Sequence, residues 1–244
     1  MFKIYQVGGS VRDEILGVQS KDIDYVAVPD EELLSKFSEA SDMFQVLVDY
    51  LKDEGYELFL ITADCYTIRA KFPKLSPNEG LVSDFVMARK EIGYIPGTRT
   101  PIVKPGTLYD DLERRDFTLN ALAKDENGNI IDYFNGIEDL KNRVLKTPLD
   151  MKVTFDDDPL RILRAIRFSI TKGFTITFDM WHEITHYDVE NKMSVVSTER
   201  IREELFKCFK YNTIKTLEKL SEYPHLRNYI FKNNILWLKP TLEK

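Results

Sequence analysis

The sequence predicts an α+β fold in two parts: a small mixed sheet with helices over residues 1–145, then an all-helical portion over 146–244. Two observations carry this. Up to about residue 150, short β-branched or aromatic runs alternate with helical stretches, whereas beyond it amphipathic helical periodicity dominates and strand signals are few. A third observation, the glycine turn in MFKIYQVGGSVRD, marks where the first strand hands over to the first helix.

The elements follow in order. KIYQV reads as a strand ending at Gly8-Gly9-Ser10, with a helix at 11–16. DIDYVAV reads as the second strand, followed by helices at 31–40 and 44–54. YELFLI, CYTIRAKF and LVSDFVMA read as three more strands. IGYIPGTRTPIVKPGT is rich in Gly, Pro and Thr and reads as a mobile loop. LERRDFTLNALA reads as Arg114, Arg115 and Asp116 preceding an apolar helix that Asn120 enters, and NIIDYF as a last strand. Helices are expected at 159–171, 179–187 and 199–209, with shorter pieces near the end and LKPTLEK as a fraying terminus.

Composition narrows the function. The 244 residues are 43% hydrophobic, enough for a sizeable core, and the net charge of -6 argues against a general nucleic-acid coat. A local basic groove remains open, since 34 Lys and Arg have to be placed. Cys65 and Cys208 lie far apart and suit a reducing compartment. The start lacks the apolar segment of a signal peptide and no run is long enough to span a membrane, so a soluble cytoplasmic protein is expected.

Chemistry concentrates at a few positions. Gly8 and Gly9 allow backbone to approach a ligand, and a helix N-terminus beyond them favours an anion. A glycine pair at a strand end is equally an ordinary turn, and neither a P-loop nor a dinucleotide fingerprint follows. Asp22 and Asp24, two apart on a strand, would share one face with roughly 7 Å between them, costly for carboxylates unless a cation joins them. A solvated edge strand explains the same spacing. Hard oxygen ligands of this kind suit Mg²⁺ bridging to phosphates, and Asp84 within LVSDFVMA is the candidate third carboxylate. In DDDPLRILRAIRF, Asp158 and Pro159 form an N-cap and first-turn pair, while Arg161, Arg164 and Arg167 make a polar stripe that also serves as a plain solvated face. HEITH fits the H-E-x-x-H zinc pattern, with Glu203 or Glu204 conceivable as a third ligand, although five letters with two free positions arise often by chance.

Taken together, GGSVRD followed by DIDYVAV resembles the head of the nucleotidyltransferase superfamily, in the branch of bacterial-type CCA-adding enzymes and poly(A) polymerases. LERRDFTLNALA, IIDYFNGIEDLKNR, DDPLRILRAIRFS and STERIREELFK are similar to that branch in the same order, and RKEIGYIPGTRTP resembles its mobile loop. The resemblance implies a polymerase-β-like head at 1–145 and a helical neck at 146–244. It implies Asp22, Asp24 and Asp84 at a Mg²⁺ site and Gly8, Gly9 and Arg12 at the phosphates. Arg115, Asp116 and Asn120 would contact ribose and triphosphate. It further implies that Asp158 and Arg161, with Arg164, read the base. A carboxylate accepts from the exocyclic amino group of C or A and a guanidinium donates to the adjacent ring nitrogen, so UTP and GTP are refused. The family usually has Glu where this chain has Asp157, and STERIREELFK would support the base-reading helix. The implied partners are CTP, ATP and an RNA 3′ end, that of tRNA in the first place; polyadenylation and a catalytically idle binding module are the alternatives. Some 35 residues follow STERIREELFK, a short extension on which to grip RNA.

Overall fold

The computed structural model describes residues 1–20, 22–95, 97–98 and 100–232. Its residues group into two compact units, the first comprising Met1–Ile95 and Thr100–Lys141, the second running from Asn142.

The first unit is built on a mixed seven-stranded sheet. Its strands are β1 (Phe2–Val7), β2 (Asp24–Pro29), β3 (Glu57–Thr62), β4 (Thr67–Lys71), β5 (Val82–Met87), β8 (Leu122–Lys124) and β9 (Ile130–Asp132). β6 (Arg89–Tyr94) and β7 (Pro101–Pro105) form a separate antiparallel ribbon. The sheet order is β3-β4-β5-β2-β1-β8-β9, with β2 and β5 parallel and the remaining pairs antiparallel. The helices of this unit are α1 (Gly9–Ile15), α2 (Glu31–Lys36), α3 (Ala40–Asp53), α4 (Leu108–Glu113) and α5 (Gly136–Asn142), the last running across the changeover between units.

Strand alternation decides which face each helix covers. On β2, Tyr25 and Ala27 point to one side, where α3 lays Met43, Phe44, Leu47, Val48 and Leu51 against them and against Phe85 and Met87 of β5. Burying each such side chain contributes roughly 1.5–3 kcal/mol. Tyr25 stacks on Phe85 with ring centroids 5.3 Å apart, which adds a directional contact to the same layer. The opposite face carries Val7, Val26 and Ala123 and packs on Leu108 and Leu112 of α4. Asp24 opens β2 on that second face, at the strand's uncovered end.

The second unit contains α6 (Met151–Asp157), α7 (Leu160–Thr171), α8 (Phe178–His186), α9 (Val189–Lys192), α10 (Thr198–Tyr211), α11 (Thr213–Ser221) and α12 (Pro224–Lys232). α7 buries Leu160, Ile162, Leu163, Ala165, Ile166, Phe168 and Ile170, the apolar face expected from its sequence, and packs on α10. The unit is not wholly helical: β10 (Val144–Leu145) and β11 (Thr175–Ile176) make a short parallel bridge.

Four sequence expectations are corrected. IGYIPGTRTPIVKPGT falls largely in the β6–β7 ribbon, because Gly93 pairs with Ile102 and Glu91 with Val103 across it, even though Pro101 and Pro105 stand at the ends of β7. The segment after Asp116 is not a helix. It forms one 3-10 turn at Thr118–Asn120 and then enters β8, since Leu122–Lys124 pairs with both β1 and β9. Helix 31–40 stops at Lys36, and Asp22 precedes β2 rather than lying within it. The reading of LKPTLEK as a fraying end falls outside the described residues. Among the described residues, no helix is long and apolar enough to cross a membrane.

Candidate active site

The site grows from the turn at Gly8. This residue has φ 74° and ψ -134°, a conformation that glycine alone adopts without strain. Its amide donates to the Leu122 carbonyl at 3.1 Å, tying the turn to β8. A Cβ on Gly8 would lie 2.8 Å from Nη1 of Arg115, so the absent side chain also makes room for that guanidinium. α1 then starts at Gly9, two residues ahead of the helix expected at 11–16, so the second glycine belongs to the helix and not to the turn.

Arg12, one turn into α1, faces inward and is 6% exposed. Its Nη1 donates to Oδ1 of Asn120 at 2.5 Å, and its Nε and Nη2 donate to Asp13 at 2.9 and 2.8 Å. The amide nitrogen of Asn120 in turn donates to Asp116 Oδ1 at 2.8 Å, which also accepts from the Phe117 backbone at 2.9 Å. Thus Arg12, Asn120 and Asp116 form one buried hydrogen-bonded chain joining α1 to the 3-10 turn. Arg12 is in place to fix Asn120.

Asp111 on α4 anchors the arginines. It is fully buried and accepts from Arg114 through Nε at 3.1 Å and from Arg115 through Nη2 at 2.8 Å. Burial opposes its charge, but Arg114 and Arg115 more than offset this and hold its carboxyl down at about 2. Arg114 also lies 3.7 Å from Glu91 at the foot of the β6–β7 ribbon.

The carboxylates lie on the sheet face that α4 covers, within the field of Arg115. Asp24 of β2 pairs in register with Asp84 of β5, so both side chains emerge on the same face of adjacent strands. Asp22 lies just before β2 and contributes to the same field. Partial burial, then Asp84, raise Asp24 above the ordinary carboxylate value; Arg115 opposes and Asp22 adds to the rise. Asp84 is held by Arg69 of β4, whose Nε and Nη2 each donate to one carboxylate oxygen at 2.8 Å. Among the described residues, no three His, Cys, Asp or Glu side chains enclose an ion as they stand. The donor chemistry nevertheless fits a hard divalent cation. In-register carboxylates penalise one another's charge, and oxygen ligands suit Mg²⁺.

In the second unit, Asp158 Oδ1 accepts from the Leu160 amide at 3.0 Å and so caps α7 as expected. Arg161 Nη1 donates to the Thr154 carbonyl at 3.1 Å, and Arg200 of α10 approaches Asp158 Oδ2 at 3.7 Å. Arg164 lies half-buried one turn further along α7, above Phe168. Arg167 donates to the buried Glu204 of α10. Burial disfavours the Glu204 charge, but Arg167, with Arg164 and Lys207, outweighs it and keeps the carboxyl below its ordinary value. Both contacts tie α10 to α7, the arrangement expected if STERIREELFK supports that helix. Ser197, at the N-cap position of α10, makes no side-chain capping bond. His182 and His186 stack with ring centroids 4.2 Å apart, and the His186 Nδ1 lies 2.8 Å from the His182 carbonyl. No third ligand joins them among the described residues.

Sequence reasoning missed Asp111 and Arg69. Asp111 precedes Arg114 and Arg115 by three and four positions, a helical spacing that signals ion pairing. Arg69 carried no such local signal, because its partner is across the sheet.

The sequence profile of the family described as "Poly A polymerase head domain" matches residues 4–146. The chain belongs to the CCA-adding enzyme and poly(A) polymerase family of nucleotidyltransferases. Among its relatives is a multifunctional CCA protein of Nitrosomonas eutropha, 35% identical over 209 residues, which cover 83% of this chain and 43% of that protein. The fold of this family member is similar to that of the Thermotoga maritima CCA-adding enzyme complexed with tRNA, at TM-score 0.70 and 26% identity over 98% of this chain and 50% of the other. It is also similar to the Bacillus stearothermophilus CCA-adding enzyme in complex with CTP, at TM-score 0.69 and 26% identity, over 91% of this chain and 48% of the other. The chain thus spans about half the length of the family members it matches.

Proposed function

We propose that this chain is a template-independent RNA nucleotidyltransferase that adds C and A from CTP and ATP to the CCA end of tRNA, releasing pyrophosphate. The observation that carries the proposal is the in-register pair Asp24 and Asp84, in the same unit as the Gly8 turn and the Arg115 guanidinium that Gly8 accommodates. Family membership supports it, as do relatives solved with tRNA and with CTP.

In the proposed mechanism the head, residues 1–145, performs the transfer and the helical neck from 146 selects the base. Asp22 and Asp24, with Asp84, would hold Mg²⁺, which when bound neutralises triphosphate charge and acidifies the attacking hydroxyl. The RNA 3′ oxygen attacks the α-phosphorus in line, the bond to the bridging oxygen breaks, and pyrophosphate leaves with the displaced electron pair. Backbone at Gly8 and Gly9 approaches the phosphates, and Arg115, aimed by Asp111, offers its guanidinium to them. Asp116 and Asn120, oriented through Arg12, accept and donate at the ribose hydroxyls.

Asp158 and Arg161 read the base edge. Each is fixed by a backbone hydrogen bond, which favours rigid discrimination over adaptable contact. For UTP or GTP the same groups would meet a carbonyl and a ring N–H, leaving desolvated polar atoms unpaired. The reaction belongs in the cytoplasm, where tRNA and nucleotides are available.

The test is incubation of the chain with Mg²⁺, each labelled nucleotide, and tRNA ending at the discriminator base, at C, or at CC. Products that stop at CCA support the proposal. A long A tail would replace it with polyadenylation, and no extension would leave a nucleotide- or RNA-binding module.

A further inference from the structure

Arg69 lies outside the residues that the transfer chemistry requires, yet it grips one of them. The charges form a row across three strands: Arg69 on β4 is the direct partner of Asp84 on β5, and Asp84 is the direct partner of Asp24 on β2. Both oxygens of Asp84 accept from the Arg69 fork at 2.8 Å, and the arginine side chain is itself 55% exposed. One guanidinium on Asp84 thus offsets part of the negative charge of the row before any divalent cation binds.

We propose that Arg69 is a built-in counter-cation of this row, competing with the divalent ion for Asp84 and thereby setting how tightly the ion binds. This rests on the reading of Asp22, Asp24 and Asp84 as the metal site. Each Asp84 oxygen accepts one bond from Arg69 and keeps a further lone pair, so a cation drawn to this row would meet a carboxylate whose charge Arg69 already shares. Repulsion between that cation and the guanidinium weakens the ion's hold unless Arg69 moves aside, which its exposure permits. A purely structural cross-strand ion pair would steady the sheet slightly and leave cation affinity unchanged.

The test is titration of the metal-stripped full chain with Mn²⁺, following the electron paramagnetic resonance signal of the free ion at fixed ionic strength. Wild type is compared with Arg69→Gln, Arg69→Lys and Asp24→Asn. Arg69→Gln is expected to tighten Mn²⁺ binding roughly three- to tenfold, the size of a well-formed half-exposed pair. Arg69→Lys keeps the charge but cannot grip both oxygens and should fall between; it carries the test if the Gln variant fails to fold. Unchanged or weaker binding in the folded Arg69 variants, with binding lost in Asp24→Asn, overturns the counter-cation role and leaves the metal site standing. Wild-type binding in Asp24→Asn overturns the metal site itself, and the role of Arg69 with it.

Discussion

Replacing Asp111 by Asn removes the buried negative charge that Arg114 and Arg115 share and keeps the side chain's shape. A carboxyl lowered from 3.8 to about 2 corresponds to roughly 2–3 kcal/mol of folding stability at neutral pH. Removing one partner of a buried ion pair costs about 3–5 kcal/mol, and Glu91, 3.7 Å from Arg114, places the loss here at the lower end. Asparagine retains one accepting oxygen, so a loss of about 3 kcal/mol is expected. Urea unfolding at pH 7 should show it as a drop in midpoint of about 1–1.5 M. The pH dependence follows from the depressed value. The stabilisation is complete above 3.8 and disappears as pH falls towards about 2, so the gap between variant and wild type stays constant from pH 7 to 5 and narrows below about pH 4. The same substitution frees Arg115, so nucleotide affinity should fall with stability. A midpoint shift corresponding to under about 1 kcal/mol, or a gap that widens in acid, would refute the anchoring role.

Three further outcomes test the site. Gly8→Ala forces a side chain into φ 74° and against Arg115, and is expected to cost about 1–3 kcal/mol in thermal unfolding and to weaken CTP binding in calorimetry. Asp24→Asn should abolish incorporation while CTP binding largely survives. It should also raise the melting temperature at pH 7, because the folded state raises this carboxyl and a neutral side chain escapes that penalty; full activity would remove Asp24 from the metal site. Asp158→Ala or Arg161→Ala should relax discrimination of CTP and ATP against UTP by roughly tenfold or more while lowering maximal rate less, measured as kcat/KM for each nucleotide.

Much of the fold was legible where its signals are local. The strand–glycine–helix handover at Val7–Gly9 needs only a break in alternation and a residue free to take positive φ. The apolar face of α7 reads directly from period 3.6, and Asp158 was recognisable as its cap. What stayed hidden depends on distant partners. LNALA has good intrinsic helix formers, but β1 and β9 offer it ladder positions on both sides, and those pairings override propensity. Proline and glycine in IVKPGT look like loop chemistry until β6 supplies a strand to pair with. At the site, the spacing of Asp22 and Asp24 pointed to a shared carboxylate field, although Asp22 contributes to it from outside the strand. The union of Arg12, Asn120 and Asp116, more than 100 residues apart along the chain at its ends, required the fold.

The charged row across β4, β5 and β2 also bears on how the sheet finds its alignment. Phe85, next to Asp84, is fully buried against Tyr25 on the side that α3 covers. If β5 slid by one residue against β2, Asp84 would turn into that apolar layer and Phe85 would turn out. The misplaced carboxylate would cost several kcal/mol and the lost ring burial about 2 kcal/mol more. A chain that has paired these strands incorrectly is therefore driven to unpair and try again, and the groups suited to binding a cation act, before any cation arrives, as a proofreading mark for strand alignment.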